Sequence, residues 1–432
     1  MIIKNEEVFF LNKYEEYAIF IPLRNFFQEI SKVDYNNGVN GIITNRIYEI
    51  IEKSRNNSLL SFDNKAEIEI ILPITNKCNM SCRYCLRYHE DSQNREEYKS
   101  MTPENLKVIL HEFFQYAKSQ EKQKVKIEFA NGGEPLVEFQ TVKFVVELCN
   151  ELCLKNDIDV EFTITSNGTF SKDIREFLVN NIHNIIISVD GPKEITDLHR
   201  IDKNCNSVFD IVMENVKYLY LKEKLHSISV VVTEKSLYRM REIADYFIKN
   251  IPNTKIKFGP VFNLGRVRSN PSLKIKDIKI WNEEYGKLKN YCKDKKIELV
   301  HDKNNIEFNK VRMYGCKHFN NPNWIVDLDY NISVCTNADK NENLIFGKVD
   351  IESNELLIDK EKIDEIKYYT VDKINECKSC FCKYLCGGGC ANIRLNGKEI
   401  NCIKRKEKVL NSLFKINKQA QSFKFETVNN FV

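Results

Sequence analysis

Residues 74–88 read "ITNKCNMSCRYCLRY" and place Cys78, Cys82 and Cys85 in a Cys-x3-Cys-x2-Cys spacing. Disulfides use cysteines in pairs, and structural zinc sites usually take four ligands. A four-iron, four-sulfur cluster normally takes four thiolates, so three on one loop would leave one iron open to an external ligand. The competing reading is a zinc site completed by His89.

The context of the stretch sets the fold. From residue 66 onward, strand-like runs alternate with helical segments. The strands are "EIEIILPIT", "KVKIEFA", "IDVEFTITS", "NIIISVD", "SISVVVT" and "KIKFGPVF", and the intervening helices include "NLKVILHEFFQYAKS" and "VFDIVMENVKYLYLKE". Thr102 and Pro103 supply an N-cap and a first-turn proline to the first of these helices. Such alternation predicts a parallel sheet with crossover helices, and six strands suit a partial barrel. Before it, "VFFLN" and "YAIFIPL" read as strands and "ITNRIYEIIEKS" as a helix, with Asn/Gly-rich "DYNNGVNG" as a connection. Beyond about residue 305 the alternation gives way to a cysteine-dense, loop-rich segment and a basic helical tail. The expected units are therefore 1–65, 66–305 and 306–432.

Composition narrows the function. Lys+Arg 65 against Asp+Glu 61 leaves a net charge of +4, which argues against an extended nucleic-acid footprint. The N-terminal "MIIKNEEVFFLNKYEEYAIF" is broken by charge, and no run approaches the roughly 18 apolar residues of a membrane span. A cytoplasmic protein with neither nucleic acid nor membrane as partner is expected. The 15 cysteines fall unevenly, three at 78–85 and eight between 316 and 402. In a reducing compartment such clustering means metal or redox chemistry more often than disulfides. Cys149, Cys153, Cys205 and Cys292 stand apart and read as packed thiols, and His111, His183 and His226 have no ligand-spaced neighbours.

In α/β barrels the C-terminal strand ends carry the chemistry. Here the cysteine loop follows the first core strand, "NGGEP" the second, "TSNGT" ends the third and "SVDGP" the fourth. This set resembles the radical S-adenosylmethionine (SAM) superfamily, whose signature is Cys-x3-Cys-x-aromatic-Cys, with Tyr84 at the aromatic position. The resemblance implies that the open iron chelates SAM and that an electron cleaves it to a 5′-deoxyadenosyl radical. It also implies SAM contacts from Gly132, Gly133 and Glu134, whose glycines would admit a close approach to the ligand and whose carboxylate suits an ammonium group. Ser166 and Asn167 would lie near the ribose, Ser188, Asp190 and Arg200 on the next loop, and Val261 near adenine. Arg200 would pair with the methionine carboxylate. No catalytic side chain is singled out.

The second cluster, "ECKSCFCKYLCGGGC", is similar to the SPASM extension of radical SAM enzymes, which holds two auxiliary four-iron clusters. Carried over, Cys377, Cys380, Cys386 and Cys402 bind one, and Cys316, Cys335 and Cys390 the other, for three [4Fe-4S] clusters in all. The second set is one ligand short, with His318, Cys382, water or a substrate left as candidates. The bland alternative is a zinc ribbon of Cys377, Cys380, Cys386 and Cys390. SPASM enzymes mostly modify peptides. The resemblance therefore implies a ribosomally made precursor peptide as substrate, cross-linked at a thioether or other side chain, and a flavodoxin- or ferredoxin-type electron donor. Residues 1–65 resemble a precursor-recognition element that adds a leader peptide to a sheet edge, or else form a cap. Two other readings stand beside this one: an anaerobic sulfatase maturase, and a non-catalytic zinc-stabilised peptide-binding protein. Sulfatase maturases carry an aspartate directly after the second SPASM cysteine, whereas Cys335 is followed here by Thr336 and Asn337.

Overall fold

Each of the six predicted core strands forms, because its apolar residues find a helix layer to face. They are β4 (Glu67–Leu72), β5 (Lys124–Phe129), β6 (Asp159–Ser166), β7 (Asn184–Ser188), β8 (Leu225–Val232) and β9 (Lys255–Pro260), all paired in parallel. The computed structural model describes residues 2–3, 6–55, 66–87, 98–261, 263, 265–300, 311–320, 323–336, 342–353, 355–395, 402–403 and 405–414. His89 and Asn337 lie outside them. In β5, Val125, Ile127 and Phe129 are fully buried against the helices, while Lys124, Lys126 and Glu128 alternate onto the other face. Lys126 pairs there with Glu67 at 3.0 Å, and Lys124 pairs with Glu161. The sheet thus has one apolar, helix-covered face and one polar face.

The crossover helices are α3 (Pro103–Ser119), α4 (Phe139–Asn156), α5 (Ile174–Asn181), α6 (Phe209–Leu221), α7 (Met240–Asn250) and α8 (Ile278–Cys292). Thr102 caps α3 by accepting from Asn105 N at 3.3 Å, and Pro103 occupies its first turn. Leu106, Ile109, Leu110, Phe113, Phe114 and Ala117 bury one stripe of that helix.

The sheet does not end where the alternation does. After β10 (Glu298–Leu299) on the far edge, β11 (Trp324–Val326) adds in parallel beside β4. Then β12 (Asn331–Ser333), β13 (Ile345–Asp350) and β14 (Glu355–Ile358) continue it as an antiparallel meander. The expectation of a merely loop-rich segment past residue 305 is corrected by these strands. Three-residue strands are too short to show a period in sequence, and they form because β4 would otherwise present an open edge. Trp324 is fully buried against Phe113 and Tyr116 of α3, at ring separations of 5.3 and 5.2 Å.

The N-terminal module is a three-stranded antiparallel sheet of β1 (Phe9–Lys13), β2 (Glu16–Ile21) and β3 (Phe26–Ile30), followed by α1 (Lys32–Val39) and α2 (Asn45–Ser54). Its third strand is not apparent from sequence, and "DYNNGVNG" is largely helix rather than a connection. Ser31 starts α1 by accepting from Asp34 N at 3.1 Å, a local cap that outweighs the poor helix propensity of Asn and Gly. One face of this sheet packs Val8, Ile19 and Ile21 on Ile47, Ile50 and Ile51 of α2. The other packs Leu11, Ala18 and Phe20 on Cys380, Cys382, Leu385, Val409, Leu413 and Phe414. The module therefore sits on the second cysteine cluster.

The isolated cysteines divide. Cys149 and Cys292 are buried and Cys153 is half-buried on helices, as expected, but Cys205 is exposed on a loop with φ of 64°. Its reading as a packed thiol is corrected, since it sits exposed in a tight turn in which Cys205 N donates to Asp202 O and Asn206 N to Asp202 Oδ1. His111 bonds Lys107 O and His183 accepts from Phe162 N, both local structural roles.

Candidate active site

The cysteine loop leaves the C-terminal end of β4 and is gripped by three neighbouring rim segments. Gly133 N donates to Thr75 O at 2.7 Å and Glu134 N to Lys77 O at 2.8 Å. On the far side, Ser81 N donates to Ile201 O at 2.8 Å and Arg83 N to His199 O at 2.9 Å. Past β9, Arg266 N donates to Cys85 O at 3.1 Å, and Arg266 Nη1 donates to Ser81 Oγ and Cys82 O, both at 3.0 Å. Sequence reading missed Arg266. Its one signal was the Gly-Arg pair on a rim loop, and Gly265 is needed because its φ is +52° and a Cβ would lie 2.2 Å from Cys85 O.

Gly132 and Gly133 are required for a reason other than a bound ligand. A Cβ on Gly133 would meet Lys77 O at 1.9 Å, and one on Gly132 would meet Thr75 O at 2.4 Å. What approaches these glycines is the backbone of the cysteine loop itself. Glu134, 4% exposed, then organises the next rim loop. Its Oε1 accepts from Ser166 Oγ at 2.8 Å and Leu136 N at 3.2 Å, and its Oε2 accepts from Asn167 N at 2.7 Å. Asn167 Nδ2 points to Cys78 Sγ at 3.9 Å and to Asn79 Oδ1 at 2.8 Å. Asn215 of α6, fully buried, pins this loop from below through Gly168 O and Phe170 O, each at 2.8 Å.

Burial raises the Glu134 carboxyl to about 7, against the opposing pull of the Asn167 and Ser166 hydrogen bonds. Because the folded protein then holds a proton that the unfolded chain gives up near 4.5, stability is fully present below 4.5 and falls as pH rises towards 7. The loss amounts to roughly 3 kcal/mol for a shift of this size. Thermal melts of the ligand-free protein between pH 5 and pH 8 should show this decline, and Glu134→Gln should flatten it. An equal slope in the variant would assign the decline to other groups.

Tyr84, the aromatic of the cysteine signature, is buried at the centre of the rim. Its hydroxyl donates to Asp190 Oδ2 at 2.5 Å, while Val231 N donates to Asp190 Oδ1 at 3.0 Å. Arg200 Nε lies 3.3 Å from the same Oδ1, and its guanidinium sits 5.4 Å from the Tyr84 ring centroid. His199 meets the ring edge-on at 5.6 Å, and Val261 closes the cluster with Val267 and Leu273. Ser188 ends β7 in register with Ser229. Residues 84, 190, 200 and 261 come from four separate segments yet share one contact set. Arg200 is buried against Asp190 and places its charge near Cys82.

The three thiols suit a cluster that displaces their protons. Burial raises Cys78 and pushes Cys82 to about 12, with Arg200 opposing the rise and Cys85 and Cys78 adding to it. Burial disfavours the charged forms of Cys78 and Cys82, so a cluster held there would supply the compensating positive charge.

The C-terminal cysteines assemble as two groups. A Cβ on Gly315 would fall 1.6 Å from Gly389 O and one on Gly387 2.2 Å from Tyr314 O, so "GGG" before Cys390 packs directly on the backbone before Cys316. Asn392 Nδ2 reaches Cys335 Sγ at 3.7 Å, which brings the third member alongside. In the other group, Cys377 is pushed to about 11 chiefly by burial, and it feels Arg394, Cys380, Cys386 and Cys402. Cys382 belongs with this group, its Sγ lying 3.4 Å from Cys380 Sγ. His318 is buried beneath the sheet, where Asn323 Nδ2 donates to its Nδ1 at 2.8 Å and to Glu69 Oε2 at 2.7 Å. The Nδ1 lone pair is therefore taken. Among the described residues no three Cys, His, Asp or Glu side chains converge as one mononuclear ion requires. A four-iron cluster spreads its thiolates around a larger body.

This geometry coincides with the family evidence: residues 72–246 match the Radical SAM superfamily and form a radical SAM domain. Among relatives, the cysteine-type anaerobic sulfatase-maturating enzyme of Clostridium novyi (strain NT) is 29% identical over 42% of this chain and 47% of its own length. The radical SAM cyclopropyl synthase TigE of Paramaledivibacter caminithermalis is 26% identical over 61% of this chain and 56% of its own. The chain thus spans about half the length of the curated relatives it matches. Solved structures share the fold more broadly. Native anSMEcpe with bound AdoMet and Cp18Cys peptide covers 84% of this chain and 99% of its own at a TM-score of 0.60 and 19% identity. Streptococcus suis SuiB bound to precursor peptide SuiA covers 90% and 94% at a TM-score of 0.53 and 17% identity. Among the described residues no helix is long and apolar enough to cross a membrane.

Proposed function

We propose that this protein is a radical SAM enzyme that modifies a ribosomally made precursor peptide by hydrogen-atom abstraction, joining side chains through a thioether or similar bond. The observation that carries the reading is the convergence of Cys78, Cys82 and Cys85 with Glu134, Asn167, Asp190 and Arg200 on one rim, with Thr336, next to Cys335 of a further cysteine group, bonded to Arg87 just past the cysteine loop. Cys78, Cys82 and Cys85 would hold a cluster with one open iron, and the groups at Cys377 and Cys316 would hold one auxiliary cluster each. When bound, the cluster and SAM supply a 5′-deoxyadenosyl radical that removes a hydrogen atom from the substrate. Glu134 orients the rim and offers a carboxylate to the SAM ammonium group, and Asn167 steadies Cys78. Electrons would come from a flavodoxin- or ferredoxin-type donor.

His318 engages Asn323 through Nδ1 only, and Cys382 lies with the Cys377 group, so the fourth ligand beside Cys316, Cys335 and Cys390 is His318 Nε2, water or an external group such as a substrate thiolate. Sulfatase maturation is the second reading, favoured by the relative from C. novyi. Against it stands Thr336, a residue that cannot accept a proton as the aspartate at this position would. Its carbonyl instead accepts from Arg87 Nη2 at 2.6 Å.

Reconstituted enzyme given SAM, reductant and either a sulfatase-derived Cys peptide or a precursor peptide encoded beside its gene should cross-link the second and leave the first unconverted. Formylglycine in the sulfatase peptide would reverse the choice. The leader should add to β3, the edge strand remote from β1. Amides of residues 26–30 should then gain protection from hydrogen exchange when precursor binds. Unchanged exchange in a complex shown to form would make the N-terminal module a cap.

A further inference from the structure

Cys382 has no place in the seven-cysteine pattern, and its surroundings give it a different task. Its Sγ lies 3.4 Å from Cys380 Sγ with both side chains buried. Around the same thiols, Arg394 Nη2 donates to Cys377 Sγ at 3.9 Å and to Cys402 Sγ at 3.7 Å. Arg394 is itself fixed, since its Nε donates to Gly388 O at 2.7 Å and its Nη1 lies 3.5 Å from Glu376.

We propose that Cys382 and Arg394 are hydrogen-bond donors to the sulfurs of the auxiliary cluster held by Cys377, Cys380, Cys386 and Cys402, and that they keep its reduction potential high. The inference rests on the auxiliary-cluster assignment made above. Four thiolates already complete a cubane, so a fifth has no iron left to bind. A ligating Cys380 has lost its proton, and at their contact distance only Cys382 can then donate. Arg394 brings a fixed positive charge and geometry suited to two sulfurs at once. Both donors stabilise the added electron of the reduced cluster more than the oxidised state, which raises the potential. The N-terminal sheet strengthens the effect by packing Leu11 and Phe20, together with Leu413 and Phe414, into the same apolar cluster as Cys380 and Cys382. Water has little access to replace the thiol donor.

The test is a redox titration of reconstituted full-length protein followed by electron paramagnetic resonance, with the cluster's signal identified by its loss in Cys377→Ala. Cys382→Ala and Arg394→Gln should retain the full iron content, and each should move that one midpoint to a more negative potential. Cys382→Ser and Arg394→Lys, which keep a donor, should recover part of each shift. Unchanged midpoints in both deletion variants would overturn the proposal. So would a cluster lost in Cys382→Ala but kept in Cys380→Ala, which would exchange the roles of ligand and donor. Full iron content in Cys377→Ala would instead remove the cluster assignment itself, and the inference with it.

Discussion

Changing Cys78, Cys82 and Cys85 together to Ala should abolish reductive formation of 5′-deoxyadenosine from SAM and lower the iron content by about one cluster in three. The auxiliary groups should still assemble, because their ligands are positioned by other contacts. The segments that carry Cys316 and Cys390 cross at Gly315 and Gly389, and Cys377 lies with Cys380, Cys386 and Cys402. Fold stability should change little, since the loop is held by backbone bonds to Gly133, Glu134, Ile201, His199 and Arg266 that these substitutions leave in place. Iron analysis and product chromatography on anaerobically prepared protein measure both effects. Continued 5′-deoxyadenosine formation would refute the assignment of this loop.

Gly133→Ala should be the most damaging single substitution on the rim. The new methyl would stand 1.9 Å from Lys77 O and 2.5 Å from Lys77 C, both backbone atoms that no rotamer change can move aside. Relief requires separating the two segments, which breaks the bonds from Gly133 N to Thr75 O and from Glu134 N to Lys77 O. A cost of ~3 kcal/mol is expected, visible as a lowered melting temperature. SAM binding should be lost with it, because Glu134 and the cysteine loop would shift apart. Gly286→Ala is the matching control: it lies within α8 with nothing inside 4 Å of the new methyl, so it should stabilise by about 0.5–1 kcal/mol. Similar melting temperatures for the two variants would show that the rim yields more readily than its packing implies.

Much of the site was legible because its residues lie at strand ends. Once β4 to β9 are recognised as parallel, their C-terminal loops must share a rim, and Cys78, Glu134, Asn167 and Asp190 come together without further information. What those residues do there was less legible. The glycines of "NGGEP" looked suited to a ligand, yet they accommodate the carbonyls of Thr75 and Lys77. Arg266 carried no motif, and only the return of its loop over Cys85 gives it a role. Arg394 and Asn392 were equally silent, because a donor to sulfur needs no fixed spacing from the cysteine it serves.

The sequence by itself determined the alternation of strands and helices, the three-thiol loop and the division of the remaining cysteines into clusters. These are local properties, set by hydrophobic period and by spacing along a chain of known geometry. Only the tertiary structure decided that β11 to β14 extend the core sheet, that the N-terminal strands pack on Cys380 and Cys382, and that Asn323 binds the Nδ1 of His318. Each of these joins segments remote in sequence. Their pairing is chosen by which exposed edge or apolar face must be covered, a condition that exists only once the core has formed.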